Sequence, residues 1–392
     1  MSLLDQTGME RQVIKGIRFD RRGFALALTT VLLAGCAIVP KGTGTVGPAQ
    51  EPDATVLPDD DGRHRIALLV PLSGSNGEVG QSIANATTMA LLDTNASNLR
   101  ITTYDTATGA ESAAAKAMTD GNRLILGPLL GENTRDVVKV ARRKRVPLIS
   151  FSNDITTAAR DVFLMGHIPS QSIGRTVDYA FSHGSRRFSA LIPNGEYGRQ
   201  AELALSSAVL REGAALMAVE KYDRGSTAVI EAAKRLEAKG PFDSVLIADG
   251  ARLSALAANQ FTKKPQILGT ELWSGESSVT ANASLRGALF SAVSDGRYKQ
   301  FASSYKARFG NQPYRISTLG YDAVLLTLKI ARDWKPGTSF PTAKLLDKGG
   351  FLGVDGPFRF LSNGVGERAM EVRKVGNGAV SVVSPAPARF DD

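Results

Sequence analysis

The chain has 392 residues, 43% of them hydrophobic and 22% charged, with a formal net charge of +9. That length provides ample core and suggests two domains, and the composition is that of an ordinary globular protein. The positive excess is spread along the sequence, with no basic stripe interleaved with aromatics, which argues against nucleic acid as a partner.

At the amino terminus, basic residues as far as Arg22 precede an apolar run from Phe24 to Ala34, which meets Leu33-Ala34-Gly35-Cys36. A charged start, a short apolar core and small residues describe a secretory signal over residues 1–35. The run is too short for a comfortable transmembrane helix. Leu-Ala-Gly-Cys resembles the bacterial lipobox, in which the cysteine is lipidated and becomes the new amino terminus. Cys36 is the only cysteine and so has no disulfide partner. Ala37 follows, not the aspartate of an inner-membrane retention signal, so the resemblance implies an outer-membrane anchor facing the periplasm. Asp20-Arg21-Arg22-Gly23-Phe24 also resembles a twin-arginine signal in part. Residues 36–63 read as a flexible tether, because Gly, Pro, Thr and Asp dominate and no hydrophobic period appears. The tether's Gly42-Thr43-Gly44-Thr45-Val46-Gly47 fits G-x-G-x-x-G but lacks the flanking strand and helix of a dinucleotide site.

The globular part opens with the apolar run Ile66 to Leu72, a strand buried on both faces, turned by Ser73-Gly74-Ser75-Asn76-Gly77. A helix over about 79–93, a strand over 99–104 and a helix over 112–118 follow. Leu124-Ile125-Leu126 is a short strand stopped by Gly127-Pro128, since proline does not continue a central strand. Gly131 to Thr134 opens a helix carrying Val137, Val138 and Ala141 on one face. Val146 to Ile149 is the next strand, ending at Ser150-Phe151-Ser152-Asn153. This strand, helix and strand form a right-handed βαβ unit, whose ligands bind beyond the carboxyl ends of the strands. Strands at 162–165, 188–192, 216–222, 244–248 and 266–268 alternate with helices at 172–181, 199–210 and 228–237. Tyr298 to Phe309 and Thr318 to Asp333 are amphipathic helices, and Phe351 to Phe360 reads as a hairpin around Asp355-Gly356.

Such alternation gives an α/β fold with mostly parallel sheets. One sheet would need about ten strands, an unusual number, so two sheets in two lobes fit better. The expected first lobe is 64–166 plus about 293–344. The second is 167–292 plus about 345–383, and a disordered tail covers 384–392.

From Arg65 to about Val383 the chain resembles the type 1 periplasmic binding proteins of the leucine-binding family. The likeness rests on the order and spacing of Pro71-Leu72-Ser73-Gly74, Gly127-Pro128, Val146 to Ser150, Tyr197-Gly198, Gly320-Tyr321-Asp322-Ala323 and Phe351 to Phe360. It implies two Rossmann-like lobes joined by three crossovers and closing on a small polar ligand. In that family's pattern Ser73 and Gly74 would hydrogen-bond the ligand, and Leu129 and Leu130 would present backbone N–H groups. Ser150, Ser152 and Asn153 would hold an α-carboxylate, Tyr197 would stack on the ligand, and Asp249 or Glu271 would meet an ammonium. The loop Ser150-Phe151-Ser152-Asn153-Asp154 departs from the transport members, which carry a small Ala- and Thr-containing loop there. With the strand after it, the loop is more similar to the lipoproteins described as penicillin-binding-protein activators. The partners implied are therefore a penicillin-binding protein or an ABC permease, with the membrane reached through Cys36.

Enzymatic signals are weak. His64, His167 and His183 lie far apart with no metal-ligand spacing, and no G-x-S-x-G elbow or P-loop occurs. Ser303-Ser304-Tyr305-Lys306 fits S-x-x-K without its companion motifs. Arg142-Arg143-Lys144-Arg145 is a basic cluster at a helix end, which compensates the dipole or contacts an acidic partner or lipid headgroups. The expectation is a binding protein with no cofactor, no metal and no chemistry of its own.

Overall fold

The computed structural model describes residues 62–390. The signal segment, Cys36 and all but the last two residues of the tether lie outside them. The described residues belong to one compact unit with its own hydrophobic cores. Among them, no helix is long and apolar enough to cross a membrane.

The first lobe is built from β1 (His64–Val70), α1 (Gly77–Asp93), β2 (Leu99–Asp105), α2 (Ala110–Thr119), β3 (Leu124–Leu126), α3 (Gly131–Arg143), β4 (Leu148–Ser150) and β5 (Val162–Leu164). Its five strands are parallel, in the order β2-β1-β3-β4-β5. Ile66 to Val70 are wholly buried, because helices cover both faces of a doubly wound sheet. Even-numbered residues of β1 point to one core, with Leu126 and Phe163. Ala67 and Leu69 point to the other, with Val137 and Leu148.

The second lobe follows with α4 (Pro169–Ser182), β6 (Arg187–Pro193), α5 (Glu196–Arg211), β7 (Ala215–Tyr222), α6 (Ser226–Ala238), β8 (Ser244–Ile247), α7 (Ala251–Ala258), β9 (Gln266–Leu268), the short α8 (Ser278–Ala281) and β10 (Leu289–Ala292). The chain returns to the first lobe for α9 (Tyr298–Phe309), α10 (Thr318–Ala331), β11 (Phe351–Gly353), β12 (Gly356–Phe360) and β13 (Gly366–Arg368). It ends in the second lobe with β14 (Glu371–Val375) and β15 (Val380–Ser384). The second sheet runs β15-β14-β10-β9-β8-β6-β7, and only β14 runs against the others, antiparallel to β10 and to β15. The three crossings are residues 165–168, 293–297 and 369–370.

Several elements differ from the sequence reading. The short α7 and the four-residue β10 are additional to the expected elements. β14, Glu-Val-Arg-Lys-Val, is a charged strand whose Glu371 and Arg373 are buried because they pair with each other at 2.7 Å. The hairpin turns on Val354-Asp355, one residue earlier than expected, with Gly353 paired to Gly356. It also belongs to the first lobe and not the second. Phe351, Phe358 and Phe360 join the first core, and Phe360 meets Phe163 edge-on at 5.5 Å. The tail expected from 384 is placed as far as Phe390, whose ring lies 4.7 Å beneath the Arg359 guanidinium, and Ser384 closes β15.

Candidate functional site in the interlobe cleft

The carboxyl ends of β1, β3 and β4 form the cleft edge of the first lobe. Gly127 stands there with φ +95, and a side-chain carbon on it would lie 2.2 Å from the Leu69 carbonyl oxygen. Only glycine lets the third strand's turn cross the first strand's end. Ser73 and Gly74 are exposed at the edge. The Ser73 hydroxyl lies 3.3 Å from Asp105, which also accepts the Leu72 and Ala107 N–H groups at 2.8 Å. Leu129 and Leu130 are half-buried ahead of α3, and the Leu130 carbonyl accepts the Thr134 N–H at 3.0 Å.

The next loop behaves differently from expectation. Ser150 is fully buried. Its hydroxyl donates to the Pro128 carbonyl at 3.1 Å, accepts the Ser152 N–H at 3.2 Å and lies 3.0 Å from Thr134 Oγ1. Ser152 is buried and accepts the Asp154 N–H at 3.0 Å. Both hydroxyls brace the loop and do not stand open to the cleft. Asn153 is half-buried and has no side-chain hydrogen bond among the described residues. Phe151 is buried in the first core. Asp154 brings a carboxylate against Gly131 at the start of α3, paired with Arg135 and accepting Thr156 Oγ1 at 2.7 Å.

On the second lobe, α5 starts directly after β6 and brings Tyr197 to the edge. The Tyr197 hydroxyl donates toward Thr270 at 2.9 Å and Glu271 at 3.0 Å, since a carboxylate only accepts. Burial pushes the Tyr197 hydroxyl well above its ordinary value, and the neighbouring Glu271 charge adds to this. Burial likewise pushes Glu271 up to about 7, against the pull of its own N–H and Tyr197. Glu271 Oε2 has no partner among the described residues, nor has Ser274 Oγ. Asp249 is nearly buried and occupied: Tyr222 donates to it at 2.9 Å, the Gly250 N–H at 2.8 Å, and Arg224 lies at 3.4 Å. The structure thus joins Tyr197 to Glu271, and sets Asp249 with Tyr222 and Arg224.

Sequence reading missed the group that joins the lobes. Asp355 is fully buried at the hairpin turn. His167, on the first crossing, donates Nε2–H to it at 3.0 Å, and Thr318 donates at 2.8 Å. Arg315 pairs with the same carboxylate, stacks on Tyr298 at 4.1 Å and lies 3.6 Å from Asp295 on the second crossing. Asp295 in turn pairs with Arg373 of β14. Burial raises Asp355, but Arg315 and His167 outweigh that and hold it ionised. Burial lowers the His167 imidazole below its ordinary value, against the pull of Asp355. Arg315 also reaches across the cleft, its Cδ 3.8 Å from where Gly275 would carry a side-chain carbon. Its Nε and Nη2 have no hydrogen-bond partner among the described residues. A lone aspartate in the apolar hairpin Phe351 to Phe360 was the available signal.

A profile of the periplasmic binding protein family matches residues 64–379. An uncharacterised protein of Rickettsia prowazekii is 26% identical over 188 residues, 47% of this chain and 50% of that protein. The chain therefore spans about half the length of the curated relative it matches. Among solved structures, a leucine-binding protein from Thermotoga maritima aligns with a TM-score of 0.63 at 19% identity, over 82% of this chain and 98% of its own. A branched-chain amino acid binding protein from Streptococcus pneumoniae, in complex with isoleucine, aligns at 0.61 and 20%, over 82% and 100%. A solute-binding protein of an ABC transporter from Rhodopseudomonas palustris, in complex with 3,4-dihydroxybenzoic acid, aligns at 0.66 and 16%, over 84% and 97%. At these identities the structures share the fold: two α/β lobes facing across a cleft.

Proposed function

The chain belongs to the periplasmic binding protein family, and on that footing we propose that it is a non-enzymatic lipoprotein, held in the outer membrane through Cys36, that activates a penicillin-binding protein in peptidoglycan synthesis. The family places it in the periplasm. The observation that carries the reading is how the cleft's polar groups are already used. Ser150, Ser152 and Asp249 are engaged within their own lobes. A free amino acid would need such hydroxyls for its carboxylate and an open acid for its ammonium. Taking them would break bonds worth about 0.5–1.5 kcal/mol each. Bonds closed within each lobe suit a body that a partner grips from outside.

The second reading is the solute-binding component of an ABC transporter for amino acids or similar small polar solutes. Glu271 Oε2 and Ser274 Oγ favour it, since they are buried beyond the end of β9 with no hydrogen-bond partner among the described residues. So do the isoleucine and 3,4-dihydroxybenzoic acid held by relatives of the same fold.

One pair of measurements separates the two. A solute receptor gains RT ln(1 + [L]/Kd), about 2.7 kcal/mol at a hundredfold excess. Melting the chain from Ala37 onward with each amino acid and with aromatic acids is expected to give no shift. The same protein, immobilised, is expected to retain a penicillin-binding protein. A reproducible shift with one solute, and nothing retained, would reverse the order of the readings.

A further inference from the structure

The end of the first sheet opposite the cleft gathers cations from every strand. Arg65 and Arg100 stand side by side on β1 and β2, and the Arg123 N–H bonds to the Arg65 carbonyl at 2.9 Å. Arg145 lies just ahead of β4 and Arg160 just ahead of β5. α3 finishes there with Arg142 and Arg143, and Lys144 follows. The end of α10 reaches the same edge, where Trp334 stacks on His64 at 4.0 Å.

Some of these charges are already matched. Arg142 pairs with Asp161 at 2.7 Å, and Arg63, Arg65 and Arg100 each have partners. Arg123, Arg143, Lys144, Arg145 and Arg160 are exposed and make no ion pair among the described residues. Offsetting the helix dipole accounts for cations in the last turn of α3. It does not account for Arg123 and Arg160, which lie off that helix. Nor does it account for Arg145, which holds a left-handed backbone at φ 56, where a helix end favours glycine.

From this edge we propose that the first lobe docks on an anionic lipid bilayer, with these five side chains facing the headgroup phosphates. The orientation rests on the lipid-anchor reading above. β1 begins at His64, at this edge, so the chain leading from Cys36 joins the fold on the side that carries the charge. Long, exposed cations spread over the starts of β3, β4 and β5 and the end of α3 match a broad anionic surface, whereas a single acidic peptide would need a pocket. Docking this way turns the cleft, at the other end of the strands, away from the membrane.

The test is sedimentation of the chain from Ala37, without acyl chains, with vesicles of phosphatidylglycerol mixed with phosphatidylcholine and with phosphatidylcholine alone. Binding is expected to the anionic vesicles only and to fall as salt rises. The triple variant R143E/K144E/R145E is expected to bind at least about tenfold more weakly. K263E/K264E, in the second lobe, is expected to bind as the parent does. Arg145→Gly separates docking from stability: it should melt no lower than the parent yet bind vesicles less. Equal binding to neutral vesicles, no binding to anionic ones, or indifference to the triple variant overturns the proposal. So does retention of an acidic protein by the same residues with no vesicle binding. The anchor is tested apart, by whether Cys36→Ser in the full chain moves it from the membrane to the soluble fraction.

Discussion

Glu271 is a cleft-edge residue whose acidity burial changes. Its carboxyl is pushed up to about 7 by burial, from an ordinary value of 4.5. A raised acid binds its proton more tightly in the folded chain. Its contribution is therefore whole below the unfolded value and is lost as pH rises through the folded one. Glu271→Gln should melt close to the parent at pH 5 and gain on it steadily toward pH 8. A difference independent of pH would show that Glu271 is not the titrating group. Asp355 is the opposite case, an ionised acid that Arg315 and His167 hold in place. Removing it as Asp355→Ala leaves the guanidinium groups of Arg315 and Arg368 uncompensated, at a cost of about 3–5 kcal/mol in urea unfolding. Ser73 and Ser150 lie at the carboxyl ends of β1 and β4, but a one-dimensional pattern does not show where a hydroxyl points. Ser73 stands at the surface, while Ser150, the same residue type at a neighbouring strand end, is sealed beneath it.

At the scale of elements, the packing of α1 on α10 turns on Gly320. A side-chain carbon there would sit 2.6 Å from the Ile83 carbonyl oxygen and 2.7 Å from Thr87 Oγ1. Gly320→Ala should cost about 1–3 kcal/mol through the forced separation of the helices. Gly174 on α4 has only Arg211 Nη2 nearby, at 3.7 Å. There the same change should gain up to about 1 kcal/mol, because alanine is the better helix former. Opposite signs in parallel denaturation curves would confirm that contact, not helix propensity, decides. Long periodic elements such as α9 were legible from spacing alone. The hairpin was legible as a hairpin, but its lobe was not. That choice is made by Phe351, Phe358 and Phe360 finding the aromatic core around Phe163, and by Asp322 accepting the Val354 N–H at 2.7 Å.

For the whole molecule, the question is whether the lobes close on a solute. Arg315 bridges the two, bound to Asp355 on one side and lying near Asp295 and Gly275 on the other. A network that ties the crossings resists a change of interlobe angle. Small-angle scattering of the chain from Ala37 is therefore expected to give one radius of gyration with and without leucine or isoleucine. A measurable contraction would mark a receptor that closes. Arg315→Met should loosen the bridge and widen the distribution of sizes without unfolding either lobe, since each keeps its own core.

Local patterns by themselves determined the α/β alternation and the two-lobe fold, while the hairpin strands β11 and β12 form a third sheet with β13 that they did not show. Period, turn residues and buried apolar runs act over a few residues, so they can be read in one dimension. The lobe that receives the hairpin, the sealing of Ser150 and Ser152, and the bridge from His167 through Asp355 and Arg315 to Asp295 were decided only by the tertiary structure. Those outcomes depend on groups far apart in the chain competing for the same buried partners, and a hydrogen bond or ion pair is settled only when both ends have been brought to the same place.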